Sequence, residues 1–272
     1  MKTRECKTAA INTGSSMCPI DWGKIRGAIL VEPGNVLTDF EKLEEACHAD
    51  RPKRIYPILG FVEYAKNGGE AQVSAVGYGP SGYNGISSQT DTFTLPRFDE
   101  TLNANLIKGA NKKWEVYFFD DKHIYGYNNG KELAGIPMSS VYPTATQFST
   151  SGSKSTMTVS FCYEDIEDTL VHLDFAEIDY VAFRNLKGLT SVKLVKQTSP
   201  ENSFKLIEVV GGYDLTPLYG SVIATAASTV LNGATTAKYE SGALTITPST
   251  GEISLKAPSV LYTSEIKWIE NV

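Results

Sequence analysis

Apolar and polar residues alternate along much of this 272-residue chain, and such alternation predicts β-strands with one buried face. The alternation is strongest in the segments 55–64, 71–76, 90–95, 114–119 and 123–127. Asn67-Gly68-Gly69 and Asn128-Asn129-Gly130 separate neighbouring runs and are typical of hairpin turns. Further strands are predicted at 21–31, 136–149, 154–163 and 170–175. The sequence therefore predicts a mainly β fold built from antiparallel hairpins.

Two short segments have helical spacing instead. Phe40, Leu43 and Cys47 fall on one face of a helix that Asp50-Arg51-Pro52 ends. A second helix is predicted over 100–108, where apolar residues again share one side. We therefore expect one or two short helices beside the strands.

The composition changes near residue 200. Residues 199–203 have the sequence of a linker, and the chain beyond them is rich in Thr, Ala, Ser and Gly. Short strands are predicted there at 204–209, 220–225, 238–239, 243–247, 252–255 and 264–269, which is typical of a small β-sandwich. The chain thus divides into a polar N-terminal arm (1–20), an antiparallel β-sandwich or barrel (21–199) and a C-terminal β-sandwich (200–272).

Charge and cysteine usage narrow the functional classes. The net charge of −6 argues against a nucleic-acid surface. The four cysteines form no C-x-x-C pair and match no zinc spacing, so we expect reduced thiols in a protein made in a cytoplasm. No apolar segment of a signal peptide follows the N-terminus, and the longest apolar run, 27–31, is far below the roughly 20 residues of a membrane span. Neither export nor membrane insertion is expected.

No catalytic, cofactor or metal site is predicted, and we expect a protein that is not an enzyme. The three histidines are far apart in sequence. Cys162 and His172 are close enough along the chain to meet across one hairpin as nucleophile and base, but no orienting partner is identifiable. The acidic clusters at 120–121 and 164–168 lack the ligand spacing of a calcium loop, so solvated turns are the better interpretation.

Several residues are instead candidates for contacts between subunits. The loop at 77–85 is rich in glycine and tyrosine but lacks the Gly-Lys-Ser/Thr ending of a phosphate loop. Tyr78 and Tyr83 on this loop suit an interface, because tyrosine offers a large contact area at low entropic cost. Trp22, at the start of the first predicted strand, is a further candidate.

Charge offers a second type of contact. Lys112 and Lys113, together with Lys108, form a basic patch, while Asp165 and Asp168 belong to the acidic cluster at 164–168. A basic patch on one protomer could meet the acidic patch on the next, which would fix the register between them.

Three stretches carry a resemblance to known structural proteins. The segment from Thr90-Asp91-Thr92-Phe93-Thr94-Leu95 through Phe161-Cys162-Tyr163 resembles the body of a phage tail tube protein, with an opening strand, a short helix, a long hairpin and a further strand pair. Residues 17–26 are similar to the opening of structural proteins from phages of gut Bacteroidetes. Residues 212–220 resemble an immunoglobulin-like domain appended to such proteins.

The resemblance implies a six-fold ring, stacked into a tube for DNA passage, in which sheet edges pair between protomers. The implied partners are copies of this chain and other virion proteins, and the implied location is the virion, with the host cytoplasm during assembly. Open antiparallel sheets must hide their edges, and head-to-tail contacts of suitable rotation close a ring. Two alternatives remain open: another virion component, such as a capsid decoration, ring or connector protein, and a carbohydrate-binding or adhesion module of a bacterial surface.

Overall fold

The computed structural model describes residues 23–145, 148–248 and 252–272. The predicted N-terminal arm, residues 1–20, and Trp22 lie outside the described residues. Strands account for 42% of the described residues and helices for 18%. The predicted mainly β class, with antiparallel sheets and a few short helices, is therefore confirmed.

The first part of the chain contains most of the strands. Its elements in chain order are β1 (Gly27–Val31), α1 (Leu43–Cys47), β2 (Ile55–Leu59), β3 (Glu63–Gly68), β4 (Ala71–Ser74), β5 (Gly82–Ile86), β6 (Gln89–Leu95), α2 (Glu100–Gly109), β7 (Trp114–Phe119), β8 (His123–Asn128), β9 (Leu133–Ala134), β10 (Ile136–Pro143), β11 (Met157–Tyr163), α3 (Ile166–His172), β12 (Leu173–Glu177) and a 3₁₀ turn (Tyr180–Ala182).

Ten of these strands form one antiparallel sheet in the order β12-β8-β7-β10-β11-β6-β3, and β9 pairs with β8. β1 pairs with β7, and β2 pairs with β1. Glu115 and Val116 of β7 pair with both β1 and β10, so those two strands flank β7 on opposite sides. The strands β2-β1-β7-β10-β11-β6-β3 therefore form a continuous path, with β2 and β3 as its end strands.

Both faces of this sheet are buried at its centre. Ala28 and Leu30 of β1 pack with Phe93 and Phe161 in one cluster, while Ile29 and Val31 pack in another cluster with residues of α1 and of the 3₁₀ region. A strand covered on two sides needs apolar residues at every position. That requirement explains why β1 is the unbroken apolar run of the sequence.

The C-terminal part begins before residue 200. Its elements are β13 (Thr190–Lys196), β14 (Ser203–Glu208), α4 (Thr216–Thr225), α5 (Ala227–Val230), β15 (Leu231–Asn232), β16 (Ala234–Glu240), β17 (Ala243–Pro248), β18 (Ser254–Leu255), α6 (Pro258–Thr263) and β19 (Ile269–Asn271). Five strands form a sheet in the order β16-β17-β14-β13-β19. β13 and β14 are an antiparallel pair, so residues 199–202 of the predicted linker lie in the connection between two paired strands, and Ser203 begins β14.

The layer against this sheet differs from the prediction. The segment 220–225, predicted as a strand, belongs to α4, and Ile223, Ala227, Val230 and Leu261 of the three helices pack on the sheet residues. Residues 264–268 of the predicted strand 264–269 belong to no strand, and only its last residue belongs to β19. A short apolar run does not distinguish a buried strand from a buried helix. Pro217 in the first helical turn supplies a start signal that settles the choice.

A second correction concerns Asn67-Gly68-Gly69, predicted as a hairpin turn. β3 pairs with β6 and β4 pairs with β5, so the chain continues outward through the two glycines and turns only at residues 75–81. Gly68 and Gly69 have φ angles of 79° and 76°, which non-glycine residues rarely adopt. A Cβ at Gly68 would lie 2.0 Å from the Ser88 carbonyl oxygen. The glycines therefore bend a long hairpin rather than close a short one.

Candidate assembly surfaces

A hairpin arm extends from the main sheet between Gly68 and Gln89. It consists of β4, β5 and a tip at residues 75–81, and every residue from 70 to 84 is exposed. Val73 lies opposite Tyr83 in the β4–β5 ladder. A two-stranded hairpin is only marginally stable by itself, so this arm is suited to gain its packing from another surface.

The tip of the arm is apolar and uncharged. Val76 is 94% exposed and Tyr78 is fully exposed, and residues 75–82 contain no charged side chain. Val73 and Tyr83 extend the same apolar surface toward the sheet. Contiguous exposed apolar surface marks interaction sites in many proteins. The structure therefore places both predicted tyrosines, Tyr78 and Tyr83, on one exposed arm.

The root of the arm is anchored by a buried carboxylate. Tyr64 and Tyr163 donate hydrogen bonds of 3.0 and 2.7 Å to the two oxygens of Asp91, and Gln89 Nε2 donates one of 2.9 Å. Burial, and secondly the Asp91 carboxylate, raises the pKa of Tyr64 to about 12. Burial, and secondly Asp91, also raises the pKa of Tyr163, so both phenols stay protonated and donate to Asp91 at neutral pH.

One side-chain contact ties the arm to α3. The Tyr83 hydroxyl donates to Glu167 Oε1 at 3.0 Å. This contact brings the predicted tyrosine loop next to the predicted acidic cluster, and it does so within one chain. It fixes the inner half of the arm and leaves the tip in solvent.

The predicted charged residues have partners in their own chain. Asp165 caps α3 by accepting the Asp168 N–H at 3.1 Å, and Asp168 accepts the Tyr127 hydroxyl at 2.8 Å. Lys113 forms an ion pair with Glu164. The second predicted lysine, Lys112, lines the groove that is described next.

A groove of about 660 Å³ lies between β2, α2 and the C-terminal strand β19. Tyr56 and Trp114 form its aromatic wall, with ring centroids 5.4 Å apart in an edge-to-face arrangement, and Leu102 and Leu106 add an apolar side. The remaining lining includes charged residues of both signs and small or polar positions: Arg51, Arg54, Lys108, Lys112, Glu32, Glu270, Asn105, Gly188 and Ser191. The groove can therefore take an apolar or aromatic group against its Tyr56–Trp114 wall, with charged residues of both signs at its margin.

A seam joins the main sheet to the C-terminal part. His48, 1% exposed, donates from Nδ1 to the Glu44 carbonyl at 2.7 Å and accepts the Trp268 N–H on Nε2 at 2.9 Å. Its ring stacks on Tyr262 at 4.5 Å. Burial lowers the pKa of His48, which favours the neutral form that this hydrogen-bond pattern requires.

Ion pairs complete the seam. Arg54, 4% exposed, pairs with Glu270 and donates from Nε to the Ala49 carbonyl at 2.9 Å. Lys267 pairs with Glu44 at 2.8 Å. The sequence analysis missed this seam, because its partners are more than 200 residues apart and no local pattern links them.

The Asp120-Asp121 turn was predicted to be solvated, which holds for the exposed Asp121 and is wrong for Asp120. Asp120 is buried and accepts the Tyr125 hydroxyl at 2.5 Å and the Gly23 N–H at 3.0 Å. Burial raises its pKa, but hydrogen bonds from Tyr125 and two backbone N–H groups outweigh burial and hold the pKa of Asp120 below its ordinary value. Asp121 binds Arg26 through two hydrogen bonds. The two carboxylates thus fix the start of β1.

The candidate nucleophile and base do not meet. Cys162 lies 3.1 Å from Thr90 Oγ1, whereas His172 contacts Asp168 on α3. Burial raises the pKa of the Cys47 thiol to about 12, far from the range of a reactive cysteine. In the described parts of the chain, no three His, Cys, Asp or Glu side chains cluster as metal ligands, and no helix has the length and apolarity to cross a bilayer.

Comparisons with known proteins give little further guidance. No protein-family model matches the sequence, and no curated protein matches it. Among solved structures, the chain is similar to the cryo-EM structure of the anti-feeding prophage cap, a tube-terminating cap, with 9% identity and a TM-score of 0.30. The match covers 62% of this chain and 100% of that chain. A TM-score this low does not establish a common fold or function.

Proposed function

We propose that this protein is a structural subunit that assembles with copies of itself, and that the assembly is the tail tube of a phage particle. The observation that carries the proposal is the hairpin arm, which holds an uncharged apolar tip in solvent. Burial of apolar surface is favourable by about 25 cal/mol per Å². Each copy that covers the tip of another copy therefore lowers the free energy of the pair.

The open ends of the sheet support the same role. Among the described strands, β3 pairs with β6 alone and β2 with β1 alone. Exposed end strands are aggregation hazards unless another element covers them. In an assembly, neighbouring copies cover them, and an obligate interface of this type buries roughly 2,000 Å² or more.

The finer assignment follows the sequence resemblance. The subunits form six-fold rings that stack into a tube for DNA passage, in a virion assembled in the host cytoplasm. The chain acts by packing rather than by catalysis, and other virion proteins bind the ends of the tube.

The test compares oligomeric states by light scattering after size exclusion and by negative-stain microscopy. Wild-type protein should form rings or tubes. A Val76→Ser/Tyr78→Ser variant should remain monomeric, because it removes the apolar tip without touching the sheet. Leu218→Ser is the matched control, since Leu218 is an exposed apolar residue of α4 far along the chain from the arm, and it should assemble normally.

Three results would count against the proposal. If wild-type protein stays monomeric at high concentration, self-assembly is excluded. If the monomer binds glycans, a carbohydrate-binding module of a bacterial surface is favoured instead. A tip variant that forms the same rings as wild type would show that the arm does not drive assembly.

A further inference from the structure

We propose that the arm tip of one copy docks in the groove of a neighbouring copy. This inference rests on the proposed function and gives self-association a direction, because tip and groove are different surfaces of the same chain.

The chemistry of the two surfaces matches. The tip offers Val76 and Tyr78 and carries no charge that docking would have to desolvate. The groove offers the Tyr56 and Trp114 rings and a volume of about 660 Å³, ample for one tyrosine and one valine side chain. Lys108 and Lys112 beside it are cations of the kind that bind aromatic faces.

One row of paired residues runs across the sheet from β2, beside the groove, to the root of the arm. Ile55 of β2 lies opposite Val31, Val31 opposite Glu115, and Glu115 opposite Pro137. The row continues through the Glu164 N–H, which donates to the Pro137 carbonyl. Cys162 of β11 lies opposite Thr90 of β6, and the neighbouring Gln89 lies opposite Gly68 of β3. The row therefore ends beside Gly68, where the arm begins.

The tip does not fill the groove of its own chain, because Val76 is 94% exposed and Tyr78 is fully exposed. β2 and β3 are consecutive parts of one segment, joined by residues 60–62. The groove residue Tyr56 lies near the start of this segment, and the arm leaves from its end at Gly68. In a head-to-tail arrangement, the arm of one copy meets the groove of the next.

The β2 edge favours docking in the groove over simple strand addition. Pro57 lies within β2 and has no N–H, so this edge cannot offer a full ladder of donors. A neighbour that binds here must therefore use side-chain packing, which the groove provides. The resulting contact is heterologous, and repetition of it closes a ring or continues as a filament.

A complementation experiment tests this direction. The tip variant, Val76→Ser/Tyr78→Ser, keeps an intact groove. A groove variant, Gly188→Phe, keeps an intact tip and fills the groove, since a Cβ at Gly188 meets no atom within 4 Å. Gly152→Phe is its control, because that glycine is equally open and does not line the groove. Circular dichroism and thermal melts establish whether each variant is folded. If Gly188→Phe does not fold, Asn105→Arg on α2 serves as a second, independent variant that blocks the groove.

The tip and groove variants should each be monomeric alone, and their equimolar mixture should form a dimer of twice the monomer mass. The dimer forms because one intact tip meets one intact groove, and it cannot grow further. Gly152→Phe should assemble like wild type.

The outcomes separate this inference from the proposed function. If wild type assembles and the tip variant does not, but both groove variants assemble normally, then docking in the groove is wrong and self-assembly stands. A mixture of tip and groove variants that stays monomeric also overturns the inference. If wild type itself is monomeric, the proposed function fails and docking between copies fails with it.

Discussion

The seam and the hairpin arm differ in whether their side chains find partners within the same chain. At the seam, His48 uses both ring nitrogens, and Arg54 is paired while almost fully buried. On the arm, Val76 and Tyr78 extend into solvent. The seam is complete within one chain, whereas the tip of the arm is exposed in its own chain, and we propose that a second chain covers it. Contacts of the first kind determine whether the protomer folds, and contacts of the second kind determine whether protomers associate.

Changes at the seam should therefore alter protomer stability, and changes on the arm should alter assembly. The following unfolding measurements are best made in the Val76→Ser/Tyr78→Ser background, because association would otherwise make apparent stability depend on concentration.

The largest expected effect is that of Arg54→Ala. The substitution leaves Glu270 without its cation in a mostly buried site, and breaking such a pair costs about 3 kcal/mol. Arg26→Ala is the matched control, because Arg26 pairs with Asp121 at an exposed site, where ion pairs contribute less than about 1 kcal/mol. Denaturant unfolding measures both, and equal losses would contradict the assignment of the seam as buried.

A smaller loss is expected for His48→Ala. The variant leaves the Trp268 N–H without its acceptor and removes the stack on Tyr262, which should lower the free energy of unfolding by about 2 kcal/mol. His172→Ala, on the exposed side of α3, should change it by less than about 0.5 kcal/mol. An equal loss of unfolding free energy in both variants would show that the buried contacts of His48 do not stabilise the protein more than the exposed contacts of His172.

The pH dependence of the free energy of unfolding tests the contribution of His48 in a second way. The pKa of His48 is lowered in the folded protein, so the unfolded chain binds a proton more readily. The stability that neutral His48 contributes is full above its ordinary pKa of about 6.5 and falls as the pH drops below that value. The neighbouring Glu44 favours protonation of His48, while Lys267 and Arg54 oppose it. Wild type should lose more stability between pH 7 and pH 5 than His48→Gln, measured by denaturant unfolding, and parallel curves would exclude His48 as the cause.

The smallest effect on the protomer is expected for the tip itself. Val76→Ser/Tyr78→Ser removes side chains that pack on nothing in their own chain, so the unfolding midpoint of the variant should equal that of wild type measured under dissociating dilution. A clear drop in the midpoint would show that the tip packs within the protomer.

Local signals in the sequence predicted much of the fold. Alternating residues located the strands of the main sheet, and the helix predicted over 100–108 is α2, capped by Asp99. Asn128-Asn129-Gly130 lies in the predicted β8–β9 turn. Errors arose where a local signal had two meanings. Asn67-Gly68-Gly69 bends a hairpin instead of closing it, and residues 170–172, predicted as the start of a strand, form the last turn of α3.

The candidate surfaces were only partly predictable. Tyr78 and Tyr83 could be found because a glycine-rich loop with tyrosines is visible in the sequence. The partners of Lys113 and Asp168 could not, because Glu164 and Tyr127 approach them only through the sheet. The predicted match between basic and acidic patches on neighbouring copies stays a prediction, and Lys113 already has a partner in its own chain.

The sequence by itself determined the strand-rich class of this protein and the apolar, uncharged tip of the arm, because both depend on neighbours a few residues apart. Only the tertiary structure decided that a groove forms between β2, α2 and β19, and that His48 meets Trp268 across 220 residues. Such pairings depend on the order and register of strands in space. Many orders are compatible with one pattern of alternation, and packing of the whole core selects among them.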